Sequence, residues 1–402
     1  MSTLFFYLAI SIAVAGSQEP AQSSAPQSSE QQSVHPKLNA AEISKLKARA
    51  EEGDAAAQLS LGMAFEAGNG VPRSDESAVK WYRKAADQGN AAAENRLGVM
   101  YRIGQGVSRD KEEAVRWYHK AAKQGNPQAM FNLGVSYYNG DGVPSDPTLA
   151  YSWFLLAQEA GNPMADDAVK RSAEEGGRMG TPDALMQVAG MYEKGIDLPQ
   201  SYPEAAKWYR RAADLSPEAA TRLASMFIEG QGVPRDFGQA MTLCQRTAKQ
   251  GYSPGQFCVG YLYRRGLGTP ANPKEAAKWY EQASKGGQRQ AMMDLAEMYW
   301  KGEGVGVDRS EAYYFFFTAS RRGAPDAKAR AQALWKEMSK DDIKHLETKL
   351  RTFRYDPKKV LDYMQGEAPR MRPRDRIRPI PVYKRASEGY SVQSSGGNAL
   401  LY

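Results

Sequence analysis

The chain has 402 residues, with 53 Lys and Arg against 46 Asp and Glu, a formal net charge of +7. Pro369–Arg385 holds seven basic residues and one acid, so nearly all the excess lies in a tail and says little about the rest of the surface. Three scattered histidines, His35, His119 and His345, have no Cys or carboxylate pattern beside them, which excludes metal spacing and leaves no cofactor to expect.

Residues 1–15 read as a secretory signal. Leu4–Val14 is an apolar run short of a bilayer span, and Ala13-Val14-Ala15 fits a small-residue cleavage site with a mature start at Gly16. Met1-Ser2-Thr3 lacks the usual basic residue, and an uncleaved anchor is the competing reading. No Cys follows the run, and no Asn-x-Ser/Thr acceptor occurs, which suits a bacterial envelope. The expected location is periplasmic or extracellular, soluble after cleavage.

Residues 16–40 are rich in Ser, Gln and Pro and too poor in apolar residues to order themselves, so they are expected to be a disordered linker. Ala41–Glu52 is helix-like and is expected to cap the first repeat. A 36-residue period then begins. Leu61-Gly62, Leu97-Gly98 and Leu133-Gly134 share it, as do Trp81, Trp117 and Trp153. A second block runs Ala189-Gly190, Leu223-Ala224, Val259-Gly260 and Leu295-Ala296, with a first interval of 34. Each unit reads as two helices joined by a Gly-x-Gly turn. The first block with its flanking helices spans 41–176, the second 177–323, and the extra piece Pro163–Thr181 lies between three units and four. Residues 324–354 are expected to form one capping helix. Residues 355–402 are expected to form a disordered basic tail.

Leu and the aromatic four residues later fill the space between the helices, and the small residue after Leu lets a neighbour come close. The Trp-Tyr pair on the second helix is expected to pack against the next unit. Asn90, Asn126 and Asn162 are placed to cap the helices that come after them.

This grammar, from about Asp54 to Gly323, resembles the Sel-one-like repeat family of the tetratricopeptide-like superfamily. The resemblance implies an all-α, right-handed solenoid of about seven helix-turn-helix repeats with a break after the third. It also implies a protein-binding scaffold whose first helices line a concave face. With Leu at position seven, positions two, five, nine and twelve of each first helix point inward. The expected partner-binding residues are Asn95, Arg102, Phe131, Tyr138, Phe257, Tyr261, Arg264, Met293, Glu297 and Trp300. Some of them could instead fill the space between units. The resemblance makes three roles plausible: a periplasmic regulator of a receptor, a scaffold for envelope-polymer export, or a secreted factor.

Cys244 and Cys258 flank Gly251 at equal distance on adjacent antiparallel helices. They either bridge or remain two buried thiols. Arg370, Arg372, Arg374, Arg376 and Arg378 form a candidate anion-binding tail for an envelope polymer or membrane surface. Nucleic acid is not expected, because no aromatic platform accompanies them. Ser77-Ala78-Val79-Lys80 and Gly251-Tyr252-Ser253-Pro254-Gly255 match enzyme motifs, but both fall on helices or helix joins. The reading is therefore a binding protein. An envelope hydrolase or β-lactam-interacting enzyme is the alternative.

Overall fold

The structure, a computed structural model, describes residues 37–366, the side chains of 175–180 excepted. The expected signal (1–15), the linker as far as residue 36 and the tail from residue 367 lie outside the described residues. Within them the fold is all-α, with 18 helices, and it is an α-solenoid of seven repeats.

The chain divides into two compact units between Ser145 and Asp146. The first holds α1 (Ala40–Glu51), α2 (Ala55–Ala67), α3 (Asp75–Asp87), α4 (Ala91–Ile103), α5 (Lys111–Lys123) and α6 (Pro127–Asn139). The second opens with α7 (Pro147–Glu159), α8 (Ala165–Lys194), α9 (Tyr202–Ala212), α10 (Pro217–Glu229) and α11 (Phe237–Lys249). It continues with α12 (Ser253–Arg265), α13 (Pro273–Lys285), α14 (Arg289–Lys301) and α15 (Arg309–Arg321). The division falls earlier than residue 176, where the sequence reading places it. The cause is α8, which runs unbroken through the inserted piece into repeat four and packs along α7, with the Ser152 hydroxyl 3.3 Å from the carbonyl of Ala184.

Local chemistry sets the helix ends. Asn90 and Asn126 accept hydrogen bonds from the amides of Ala93 and Ala129, satisfying donors that a first turn leaves open. Asn162 accepts instead from Met164, just outside α8, whose own cap has no side-chain bond. Second helices start at Ser or Asp caps such as Ser74 and Asp110, and first helices stop at a left-handed glycine such as Gly104.

In the Gly-x-Gly turn the second glycine has two reasons to exist. Gly106 has φ +66°, and a Cβ there would overlap the Asp75 carbonyl at the start of the preceding second helix. In repeat four this place is taken by Asp197, also left-handed at φ 63°.

Two corrections concern the ends of the stack. The linker ends before Leu38, whose amide donates to Asn69 Oδ1 at 2.8 Å, and Asn39 closes a capping box with Glu42. The single helix expected for 324–354 is two, α16 (Ala327–Trp335) and α17 (Lys340–Thr352), because Ser339 starts a new helix in a capping box with Asp342. Beyond them α18 (Pro357–Gln365) lies in the segment that the sequence reading assigns to the tail. It buries Val360 and Met364 in the same core as Leu346, Leu350, Phe316 and Phe317.

Candidate functional site

Repeats one, two and six are built around the same contact. A Cβ on Gly98 would stand 2.6 Å from the Tyr118 ring, and the same holds for Gly62 with Tyr82 and Gly260 with Tyr280. The small residue therefore admits the Tyr of its own second helix. That Tyr also packs forward, since Tyr82 shares a core with Ala93, Leu97 and Met100 of the next repeat. The sequence reading placed the pair against the next unit and did not foresee this contact within its own.

The twenty-residue step from small residue to Tyr fixes the register of repeat four. Ala189, fully buried, lies twenty residues before Tyr209 and six before the left-handed Gly195. Gly190, which the sequence reading put in this slot, faces open space. The interval from Ala189 to Ala224 is 35, not 34.

The Tyr hydroxyl leads into a polar clamp between repeats. Tyr82 donates to Glu66, at position twelve, and Glu66 pairs with Arg96, at position six of the next repeat, at 3.5 Å. Between repeats six and seven the clamp carries the opposite charges. Arg264 lies 3.3 Å from Asp294 and makes two bonds to Glu303, at 3.0 and 2.7 Å. Burial pushes the Asp294 carboxyl up, and the bond from Arg264 holds the Glu303 carboxyl down. Tyr209 donates to Glu193 at 2.6 Å in repeat four.

Between repeats five and six a covalent bond takes the clamp's place. Cys244 stands at the Tyr position and Cys258 at position six, both buried, joined in a disulfide with Cα atoms 5.8 Å apart. Position twelve there is the buried Ile228.

The ten expected partner-binding residues separate by position. The position-five residues Asn95, Phe131, Phe257 and Met293 are all buried. Asn95 accepts from Asn132 at 2.9 Å, and Phe257 stacks on Tyr280 at 5.5 Å. Position five lies about 40° round the helix from position nine and fills the stack, against the next repeat at Asn95 and against its own second helix at Phe257. Arg264 is half-buried and engaged in the clamp. Glu297 pairs with Arg330 of α16, and the Trp300 indole donates to Glu337 at 2.9 Å and meets Phe316 edge-on. Tyr261, Tyr138 and Arg102 remain half-exposed.

The sequence reading missed two side chains of this face. Met63 at position nine is 40% exposed, and Ile103 at position thirteen is 41% exposed. The signal was available, because positions nine and thirteen are one helical turn apart. Val99 and Val135, also at position nine, are half-exposed.

The motif matches find structural roles. Ser77 sits in the first turn of α3, where its hydroxyl accepts from the cap residue Ser74 at 2.9 Å. Ser253 opens α12 after a helix, with no strand before it. His119 packs edge-on to Tyr137, and His345 is exposed on α17. Among the described residues no cluster of His, Cys, Asp or Glu could hold a metal ion, and no helix is long and apolar enough to cross a membrane.

These features define a helical-repeat protein with clamps between repeats one and two, five and six, and six and seven, and with a variable face on its first helices. The Sel1 repeat profile matches residues 55–90, 91–126, 127–162, 182–216, 217–252, 253–288 and 289–323, and the chain belongs to the Sel1 repeat family. Such proteins are in general protein-interaction scaffolds and typically not catalysts. No curated protein matches the chain. Among solved structures, it is similar to c5321, a protective antigen of uropathogenic Escherichia coli strains displaying an SLR fold. The identity is 33%, covering 77% of this chain and 70% of that one, at a TM-score of 0.40. It is also similar to a Sel1 repeat protein from Oxalobacter formigenes, at 30% identity over 73% of this chain and 80% of that one, with a TM-score of 0.37.

Proposed function

We propose that the chain is an exported, non-catalytic scaffold or adaptor of the cell envelope, holding a protein partner against its first-helix faces. One observation carries the reading. The packing residues recur from repeat to repeat, while the outward positions vary and include exposed apolar side chains, Met63 and Ile103. Solvent-facing apolar residues on the first helices of adjacent repeats suit a surface that another macromolecule covers. Export is supported by the apolar N-terminal run and by the Cys244–Cys258 bridge, since disulfides persist in oxidising compartments. The arginines at 370–378 are assigned to an anionic envelope polymer.

The test is affinity capture from the native envelope, with the partner identified by mass spectrometry. It compares the full chain with a Met63→Asp, Ile103→Asp, Tyr261→Ala variant at equal helical content. Loss of the partner is expected. Undiminished capture rejects the groove. The hydrolase reading needs Ser77 to act as a nucleophile, but its hydroxyl is bonded to a helix cap. Hydrolysis of a chromogenic β-lactam that Ser77→Ala abolishes would favour it.

A further inference from the structure

Residues 324–402 carry 17 Lys and Arg against 10 Asp and Glu, a surplus of seven that equals the net charge of the whole chain. Everything before them is electrically balanced. Part of this surplus is folded. Helix α17 is anchored by Leu346 and Leu350 in the C-terminal core and by an ion pair from Lys349 to Glu311 of α15. Its outer face presents Lys340, Lys344 and Arg351, at helical spacing along about 16 Å of axis. Lys336 at the end of α16 precedes them one turn earlier in sequence. Lys336, Lys340 and Lys344 are exposed and have no acidic partner among the described residues. Arg351 has only a surface pair with Glu347 at 3.1 Å. Asp341 is the one acid among the exposed residues of α17. Elsewhere, basic side chains such as Arg96, Lys111, Lys207, Arg246 and Arg264 are matched by carboxylates of a neighbouring helix or turn.

We propose that the outer face of α17, with Lys336, is a fixed docking stripe for a linear polyanion bearing carboxylates or phosphates. This deepens the reading of the tail as an anion-binding segment by giving it a rigid neighbour. Three cations on one helix face, with Glu347 the one acid between Lys344 and Arg351, offer a linear polyanion several contacts and release its counterions on binding. A lipid surface is the poorer fit. A helix lying on a membrane needs a broad apolar face turned outward, and on α17 Leu346 and Leu350 are buried in the core, which leaves the half-buried Ile343. Phe353, just beyond its end, is exposed but stacked on Tyr314 at 5.1 Å.

The experiment measures binding of the full chain to polygalacturonate, and to vesicles of equal parts phosphatidylcholine and phosphatidylglycerol, over a range of salt. Four proteins are compared: wild type, a stripe variant (Lys336→Gln, Lys340→Glu, Lys344→Glu), a tail variant (Arg370, Arg372, Arg374, Arg376 and Arg378 to Gln), and a charge control (Lys80→Glu, Lys274→Glu). All three stripe positions are exposed, and Lys340→Glu places an acid in the first turn of α17, so helical content stays unchanged. The stripe variant is expected to bind the polymer roughly tenfold more weakly, with a salt slope shallower by about two to three, while the control binds as wild type. Wild-type affinity in the stripe variant overturns the proposal, whatever the tail variant does. Loss in the tail variant alone keeps the tail reading and removes the stripe. Loss in the stripe variant alone does the reverse. A stripe effect seen on vesicles but not on polymer also overturns it.

Discussion

Glu66 and Arg264 hold the same place in their repeats and do the same work with opposite charges. Each stands at the end of a first helix beside the Tyr of its own second helix, and each reaches position six of the next repeat, where Glu66 meets Arg96 and Arg264 meets Asp294. The clamp keeps its geometry and changes its residue types. Its energetic value rests on both partners being present, because a half-buried charge left alone keeps the desolvation penalty without the attraction.

Removing one side of the clamp is therefore expected to cost more than removing a surface ion pair. Arg264→Ala leaves Asp294 and Glu303 facing a vacated site and lowers stability by about 2–4 kcal/mol, read from urea unfolding. Replacing the exposed Lys285, paired with Glu281 on one helix surface, stays within about 0.5 kcal/mol of wild type.

Burial and the same guanidinium shift the two carboxyls in opposite directions. Asp294 is raised by burial and Glu303 lowered by its bond to Arg264, so carboxyl NMR signals are expected to show the Asp titrating above the ordinary Asp range and the Glu below the ordinary Glu range. The signs for stability differ. Glu303 binds its proton more weakly in the folded chain than in the unfolded one, so its contribution is present at neutral pH and is lost as pH falls through its low folded value. Asp294 binds its proton more tightly when folded, so its ionisation opposes folding at neutral pH and acidification relieves that cost. In Arg264→Ala both carboxyls titrate higher. An Asp294 signal below the ordinary Asp range, or a Glu303 signal above the ordinary Glu range, in wild type contradicts the assignment.

Two glycine substitutions separate the registers. Gly98→Ala drives a methyl group into the Tyr118 ring and is expected to cost about 1–3 kcal/mol. Gly190→Ala fills open space within α8 and is expected to stabilise by about 0.5–1 kcal/mol. Equal losses at both sites would return Gly190 to the small-residue slot.

The bridge between repeats five and six replaces a clamp that Ile228 cannot form. Unreduced protein in denaturant is expected to show no free thiol. The double substitution Cys244→Ala, Cys258→Ala is expected to lower stability by about 3 kcal/mol, as for closing a loop of this length. Thermal unfolding with and without reductant checks the same point.

The stack was legible because its packing residues recur. Leu97, Tyr118 and the turn glycines repeat at a fixed period, and each does the same job in its own unit. Repeat four was misread by one residue because Ala189-Gly190 offers two small residues and only the downstream Gly195 and Tyr209 choose between them. The clamps were invisible because Glu66–Arg96 and Arg264–Asp294 have different residue types at both position twelve and position six, and a disulfide fills the same role. The capping segment was read as one helix because residues 336–339 contain neither Gly nor Pro, so the break at Ser339 shows only in its capping box. Of the positions read as facing inward, five is buried in the stack at Asn95, Phe131, Phe257 and Met293, and nine ranges from the exposed Met63 to the buried Ser225, while Ile103 at position thirteen is exposed.

The central claim is that a partner lies along the first helices and not along the second. A photo-crosslinking residue placed at Ile103, and separately at the exposed Thr242 on α11, tests it directly in cells carrying the full chain. The account predicts a discrete adduct from position 103 and none from position 242. Adducts only from 242, or equal adducts from both, would contradict it.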